Sequence, residues 1–181
     1  MAVIIGIIVL AASALIVIYN TFIRRKNLAA EAWSGIDVQL KRRYDLIPNL
    51  IETVKGYMQH ERGLLEEITG LRSKAMGAED LKNKAQAENA LSSVLKSLFA
   101  VAESYPDLKA SQNFIDLQKN LADIEDQLQL ARRYYNGTVR DFNIIVESFP
   151  SNIIASVFGF KNLEFFEIEE SSERAAPKIK F

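Results

Sequence analysis

The sequence predicts an all-α protein, in which an N-terminal transmembrane helix precedes an antiparallel bundle of long helices. Three observations support this fold class. Residues 1–23 are uncharged and mostly apolar, apolar residues recur at spacings of three and four over most of residues 28–149, and Gly or Pro separates the patterned segments. We therefore divide the 181 residues into an anchor (1–23), a cytoplasmic helical bundle (24–149) and a C-terminal segment (150–181).

The N-terminal segment is long enough to cross a bilayer. As a helix, 23 residues span about 34 Å, against about 30 Å of hydrocarbon. The basic residues Arg24, Arg25 and Lys26 follow the apolar run, whereas a cleaved signal peptide carries its basic residues first. By the positive-inside rule, we expect an uncleaved anchor with the N-terminus outside and the rest of the chain in the cytoplasm.

A heptad pattern predicts the first helix of the bundle over residues 28–75. Pro48 lies within the pattern, where it removes one backbone hydrogen bond and predicts a kink. The unbroken phase favours one bent helix, giving three long helices in the bundle. The alternative is a turn at Asp45–Asn49, which would give four. The core-type positions of this pattern are Ala29, Trp33, Ile36, Leu40, Arg43, Ile47, Leu50, Val54, Tyr57, Glu61, Leu64, Ile68, Leu71 and Ala75.

Two further heptad patterns follow. The first predicts a helix over about residues 80–104, which Pro106 ends. The second runs from Phe114 to Phe149 and predicts the third long helix. Gly137 lies inside it, and because the phase continues on both sides we expect the helix to continue too, at a cost of about 1 kcal/mol.

The C-terminal segment begins with a short apolar stretch, Ile153–Phe160. Two helical turns would place its apolar residues on one face, and the simplest interpretation is a lid on the end of the bundle. Insertion into a bilayer or into a partner's groove is the alternative. The acidic residues that follow, and the last residues of the chain, predict an extended tail.

The composition excludes several classes of function. A net charge of -1 disfavours nucleic acid as a partner. The absence of cysteine excludes disulfides and thiolate metal sites, and one histidine, His60, cannot complete the two Glu-x-x-His motifs of a di-iron bundle. The sequence also lacks the glycine-rich motifs of nucleotide-binding proteins. We therefore expect no cofactor and no enzymatic activity.

Polar residues cluster around Pro48 in the first predicted helix. Arg43 and Glu61 occupy core-type positions, where each needs a partner or access to water. Arg43 forms a candidate docking cluster with its neighbours Asp37, Arg42, Asp45 and Asn49, which lie in the same turns near Pro48. Such a cluster fixes helix register, and a docking surface or ligand site is the functional alternative.

The lengths of the predicted helices, about 72, 37 and 62 Å, do not match end to end. Part of the third helix would then expose an apolar stripe, and exposed stripes of this kind mark protein interfaces. We expect self-association through Tyr135, Phe142, Ile145 and Phe149. A first helix that doubles back on itself would cover the same surface without a second chain.

Several motifs resemble the LemA family of bacterial membrane proteins. Residues 31–50 read EAWSGIDVQLKRRYDLIPNL and residues 52–57 read ETVKGY. The later blocks are YPDLKA at 105–110, RRYYN at 132–136 and FPSN at 149–152. The resemblance covers the whole chain, with Gly137 as a small departure. It implies an N-terminal anchor and a helical bundle in the bacterial inner membrane, without an established enzymatic activity.

Together these observations favour a membrane-anchored scaffold or interaction protein that assembles with itself. The alternative is an accessory subunit that binds and regulates another membrane protein, such as a protease or a sensor kinase. An enzyme is the least favoured class. The predicted partners are the lipid bilayer, through residues 1–23, a second copy of the chain, and in the alternative another membrane protein.

Overall fold

The computed structural model describes residues 1–166, and all the regular secondary structure within them is helical. This confirms the predicted all-α class, with a long apolar helix at the N-terminus. The expectation of an extended tail falls largely on residues 167–181, outside the described residues. The helices are α1 (Ala2–Lys55), α2 (Arg62–Gly77), α3 (Leu81–Ala102), α4 (Pro106–Lys109), α5 (Gln112–Glu147) and α6 (Ser151–Phe158).

The chain divides into two compact units. Unit 1 comprises residues 1–40 and 126–165, and unit 2 comprises residues 41–125 together with Phe166. Helices α1 and α5 each contribute residues to both units. The boundary that we drew between anchor and bundle lies inside α1, which continues from residue 23 to residue 24 without a break.

In unit 1, α1 and α5 run antiparallel. Trp33 meets Tyr135 with ring centroids 5.4 Å apart, and Phe22 meets Phe142 at 6.0 Å, so residue numbers fall along one helix as they rise along the other. The prediction that the third long helix passes through Gly137 is confirmed. Its heptad phase holds because Tyr135, Thr138 and Phe142 are all buried on the inner side of α5.

The first helix of the bundle continues through Pro48, as predicted. It does not reach residue 75, and both predicted arrangements, one bent helix to residue 75 and a turn at Asp45–Asn49, are wrong. Helix α1 ends at Lys55, and the chain reverses over residues 56–61 before α2 begins. Within unit 2, Arg72 of α2 contacts the backbone of Tyr44, so α2 folds back antiparallel to α1.

The reversal has a local physical cause. Gly56 is a poor helix former, and at this point the amides of Tyr57 and Met58 both donate to the carbonyl of Val54, at 2.9 and 3.0 Å. Met58 is buried whereas Tyr57, the predicted core-type residue, is exposed, so the buried residue in the turn lies one position later than predicted. The return lets α2 bury Leu65, Ile68 and Ala75, and this burial stabilises the reversed arrangement.

The next helix agrees with its prediction. Helix α3 covers residues 81–102, and the side chain of Asp80 caps it by accepting from the amide of Asn83 at 2.8 Å. Because the predicted first helix is split into part of α1 and a separate α2, the lengths from which we argued an exposed stripe do not apply. The chain doubles back on itself, as the second interpretation allowed, although it does so at residues 56–61 and not at Pro48.

Candidate functional site

Among the described residues, one helix is long and apolar enough to cross a membrane. It is α1, and no residue of its apolar window near the N-terminus is buried within the protein. The large side chains there, from Val3 to Leu10, are more than half exposed. By its length and apolar composition, this segment fits a membrane-spanning helix.

The basic residues that follow the apolar segment differ in their contacts. Arg24 and Lys26 are exposed. The Arg25 guanidinium lies 3.4 Å from the carboxylate of Asp141 on α5, and both side chains are about 40% exposed. Two of the three bases are therefore exposed to solvent, whereas Arg25 also joins α1 to α5.

An aromatic cluster joins the end of the apolar segment to α5 and to the segment after α6. Phe22 is fully buried; its ring stacks on Phe160 at 4.6 Å and meets the edge of Phe142. Tyr19 contacts Phe158 at 4.9 Å. Ala155 of α6 is buried in the same cluster, so the inner side of α6 packs against α1 and α5 within unit 1.

The chain returns to the aromatic cluster through a sharp turn after α6. Gly159 ends that helix with φ of 73°, in the left-handed region that side chains rarely adopt, and the amide of Phe160 donates to the carbonyl of Ala155 at 2.9 Å. Further along, the side-chain amide of Asn143 makes two hydrogen bonds to the backbone of Leu163, at 2.8 and 3.0 Å. These bonds hold residues 159–163 along α5.

The outer side of α6 is apolar and exposed. Ile153 and Val157 are 56% and 73% exposed, and Phe149, which precedes the helix, is 81% exposed. The predicted short helix is thus present. It covers the aromatic cluster on one side and leaves Ile153 and Val157 exposed on the other, with Phe149 exposed just before it.

A buried polar network occupies the centre of unit 2. The Arg43 guanidinium lies 3.3 Å from Glu88 on α3 and 3.5 Å from Glu125 on α5, and it donates to the hydroxyl of Ser92 at 2.8 Å. The Tyr44 hydroxyl donates to the other oxygen of Glu88. This network supplies the partner that the buried position of Arg43 requires, and it joins three helices.

The structure separates the members of the candidate docking cluster. Arg43 is turned into the core, whereas Asp37, Arg42, Asp45 and Asn49 are exposed on α1. Glu61, the other charged residue at a core-type position, accepts a hydrogen bond from the Tyr105 hydroxyl at 3.3 Å. Desolvation and the charge of Glu61 raise the pKa of Tyr105.

The residues that we expected to form an exposed self-association stripe are mostly buried in unit 1. Tyr135 and Phe142 are 8% and 1% exposed, Ile145 is half-buried against the aromatic cluster, and only Phe149 is open. Tyr135 also donates to the carbonyl of Glu164 at 3.1 Å, and its burial raises its pKa. The exposure assumed for Tyr135 and Phe142 is therefore wrong, because α1 and the chain after α6 cover this face.

The comparison with known families is decisive for classification. The sequence profile of the LemA family matches residues 32–181. The chain belongs to the LemA family. This confirms the resemblance found in its sequence motifs.

Among curated relatives, Protein LemA of Metamycoplasma hominis is 28% identical over 152 residues, which cover 83% of this chain and 69% of that protein. Magnetosome protein MamQ 2 of Paramagnetospirillum magneticum is 23% identical over 175 residues, covering 82% of this chain and 64% of that protein. Magnetosome protein MamQ of Magnetospirillum gryphiswaldense is 21% identical with the same coverage. The chain thus spans a little less than two thirds of the MamQ proteins.

Neither the family description nor the names of these relatives denote an enzyme. LemA membership and the apolar N-terminal helix together fit a single-pass membrane protein. Within residues 1–166, no cluster of three or more His, Cys, Asp or Glu side chains could hold a metal ion.

Sequence reasoning missed the acidic half of the buried network. Glu88 lies three residues before Leu91 and so on the apolar face of α3, which is the same signal that identified Arg43. It also missed Tyr19 and Phe22 as packing residues, because both belong to the apolar segment, whose side chains were expected to face the membrane.

Proposed function

We propose that this LemA protein is a non-enzymatic scaffold anchored in a bacterial inner membrane, with its helical units at the cytoplasmic face. The proposal depends mainly on the continuity of α1, which joins an exposed apolar segment to the packed helices. A continuous helix fixes the distance of the following residues from the anchor better than a flexible linker does. This suits a protein that holds its surfaces at a fixed place near a membrane.

Charge supports the orientation. Arg24 and Lys26 are exposed at the end of the apolar segment, and the positive-inside rule keeps this flank in the cytoplasm. The interactions of Arg43 and Glu88 support a structural role for the buried charged groups, since their polar atoms are used within the fold. Assembly with other copies is part of the proposal.

The surface proposed for assembly is the exposed row formed by Arg42, Asp45 and Asn49. Spacings of three and four place these residues on one face of α1, and all three side chains are exposed. The row carries both signs of charge, which favours a specific polar contact over general adhesion.

An open cleft of about 600 Å³ favours the second candidate function, an accessory subunit for another membrane protein. It lies in unit 2 where α1 turns into α2, and its lining combines apolar Met58 and Leu65 with charged Lys55, Arg62 and Glu66. Such a surface suits a short segment of another protein that presents both apolar and charged groups.

Orientation is tested with reporters fused after Phe181. A fluorescent protein that matures only in the cytoplasm should be bright, and a phosphatase that matures only outside should be inactive. Replacing residues 24–26 by Ser and adding three Lys after Met1 should shift part of the population to the opposite orientation. An unchanged orientation would mean that these charges do not set the topology.

Assembly is tested by expressing two copies with different tags and purifying one from native membranes. A scaffold that assembles through the row predicts that the second tag is recovered with the first. This recovery should be lost in the Arg42→Glu variant and kept in the Arg62→Glu variant. An accessory subunit predicts that one other membrane protein is recovered in equal amount and that the second tag is not. That recovery should be lost in the Arg62→Glu variant. Recovery of neither leaves a single-copy anchor and contradicts the scaffold.

A further inference from the structure

We propose that α6 is a second lipid contact, lying at the cytoplasmic membrane–water interface with Phe149, Ile153 and Val157 among the upper acyl chains. The proposal rests on the proposed function in one respect, because it requires residues 1–23 to cross the bilayer. It adds a contact that the anchor alone does not provide.

The position of α6 relative to the apolar segment is fixed by packing. Phe158 and Phe160 contact Tyr19, and Phe160 stacks on the fully buried Phe22. Ala155 and Ile154 pack in the same cluster. Helix α6 therefore moves with the end of the apolar segment, and the depth of that segment sets the depth of α6.

The depth follows from helix geometry. The cluster contacts α1 at Ile18, Tyr19 and Phe22, which lie one to five residues before Ile23, the end of the apolar segment. At 1.5 Å per residue, these contacts lie about 2–8 Å inside that end. Interfacial amphipathic helices bury their apolar faces by about 5–10 Å, so the two ranges agree.

The surface chemistry of α6 matches this depth. Ile153 and Val157 are exposed on one side of α6, and Phe149 just before the helix is exposed as well, whereas Asn152 and Ser156 form an exposed polar side. Lys161 beyond the helix is exposed, as are Arg24 and Lys26 at the end of the apolar segment. These cations suit the anionic headgroups of a cytoplasmic leaflet.

A second copy of the chain is a poorer occupant for this surface. Three side chains of this size expose on the order of 300–400 Å². A stable protein interface buries about 800 Å² on each partner. Contact with a bilayer does not require so large a buried area, because the anchor already holds α6 at the membrane–water interface.

The test uses cysteine, which the natural chain lacks, so that each single-cysteine variant carries one label. The full chain is reconstituted in vesicles of phosphatidylcholine with a minority of phosphatidylglycerol, and an environment-sensitive fluorophore is attached to Val157→Cys or, as the matched control, to Asn152→Cys. The two positions lie about 140° apart around α6. Both are exposed, so neither change disturbs the aromatic cluster.

We expect the label on Val157→Cys to emit at a shorter wavelength than the label on Asn152→Cys, because it lies in a less polar environment. A nitroxide lipid labelled near the top of its acyl chain should quench it at least about twofold more strongly than the Asn152→Cys label. Circular dichroism checks that the helices are kept. If Val157→Cys fails to fold, Ile153→Cys lies on the same side, about 40° away, and takes its place.

A label at Leu10→Cys separates the two proposals. If a deep nitroxide fails to quench Leu10→Cys, the anchor itself is absent and the proposed function fails. If Leu10→Cys is quenched but the Val157 and Asn152 variants are quenched equally, the anchor stands and the interfacial contact of α6 is overturned. A Val157→Cys label with short-wavelength emission that lipid nitroxides do not quench is covered by protein, which also overturns it.

Discussion

The Nε atom of Arg72 donates a hydrogen bond to the backbone carbonyl of Tyr44, with a distance of 2.8 Å between nitrogen and oxygen. In an uninterrupted helix, this carbonyl accepts from the amide four residues later. Residue 48 is proline and has no amide hydrogen. Helix α2 therefore supplies the donor that the proline removes, and α1 continues past Pro48 with this buried carbonyl satisfied.

The first prediction is that Arg72 and Pro48 are energetically coupled. Arg72→Met should lower the free energy of unfolding by about 1–3 kcal/mol, because the Tyr44 carbonyl loses its partner. In a Pro48→Ala background the same change should cost less, since the alanine amide can donate to that carbonyl. Urea unfolding of the full chain in detergent, followed by circular dichroism, gives the four free energies of the double-mutant cycle. Strict additivity would contradict the coupling.

The second prediction concerns the ion pair between Arg43 and Glu88, whose side chains are 2% and 0% exposed. Glu88→Gln should lower the free energy of unfolding by about 3–5 kcal/mol, because the buried guanidinium loses most of its compensation. The same unfolding experiment measures it. Glu103→Gln is the control: Glu103 pairs with Lys109 at the surface, and its loss should stay within about 0.5 kcal/mol. Equal losses in both variants would show that burial does not govern the pair.

Heptad phase predicted much of this fold. It predicted α3 and the continuation of α5 through Gly137 correctly. A buried helix face requires apolar residues at spacings of three and four even where a residue such as glycine has a low helix propensity. It failed between α1 and α2. The chain reverses at Gly56, but apolar residues continue at heptad spacing on both sides of the turn. The pattern therefore does not mark the reversal, in which Met58 is buried instead of the predicted Tyr57.

The candidate sites were less predictable for a related reason. A charged residue at a core-type position shows that a partner is needed but does not identify it, and Arg43 finds its partners 45 and more residues away. The exposure of Phe142 was misjudged because its cover comes from Phe22 and Phe160. Neither contact is visible in a pattern read along α5 alone.

The third prediction compares Phe142 with Phe149. Phe142→Ala should lower the free energy of unfolding by about 3–5 kcal/mol, because it leaves a cavity beside Phe22. Phe149→Ala removes the same group from an 81% exposed position and should change stability by less than about 0.5 kcal/mol in detergent. If the Phe149 variant were the less stable of the two, the face of α5 assigned to the core of unit 1 would be wrong.

The fourth prediction concerns pH and the start of α3. The pKa of Asp80 is lowered below the usual range of an aspartate, chiefly by the hydrogen bond that its carboxylate accepts from the amide of Asn83. Because the folded state favours the charged carboxylate, its stabilising contribution is present above the pKa of the unfolded chain. It is lost as pH falls from that value through the lowered pKa of the folded state.

Asp80→Asn keeps a side-chain oxygen that can cap the helix but removes the titrating group. Melting temperatures of the wild type and the variant should therefore differ at neutral pH, with the wild type higher. The difference should begin to shrink near the ordinary aspartate pKa of about 4 and vanish only as the pH falls through the lowered pKa of the folded state. Glu79→Gln removes one charge from the neighbouring residue, which is not the N-cap, and should show no such convergence. A difference between the wild type and Asp80→Asn that stays constant between neutral and acid pH would show that the Asp80 carboxylate does not stabilise α3 through its charge.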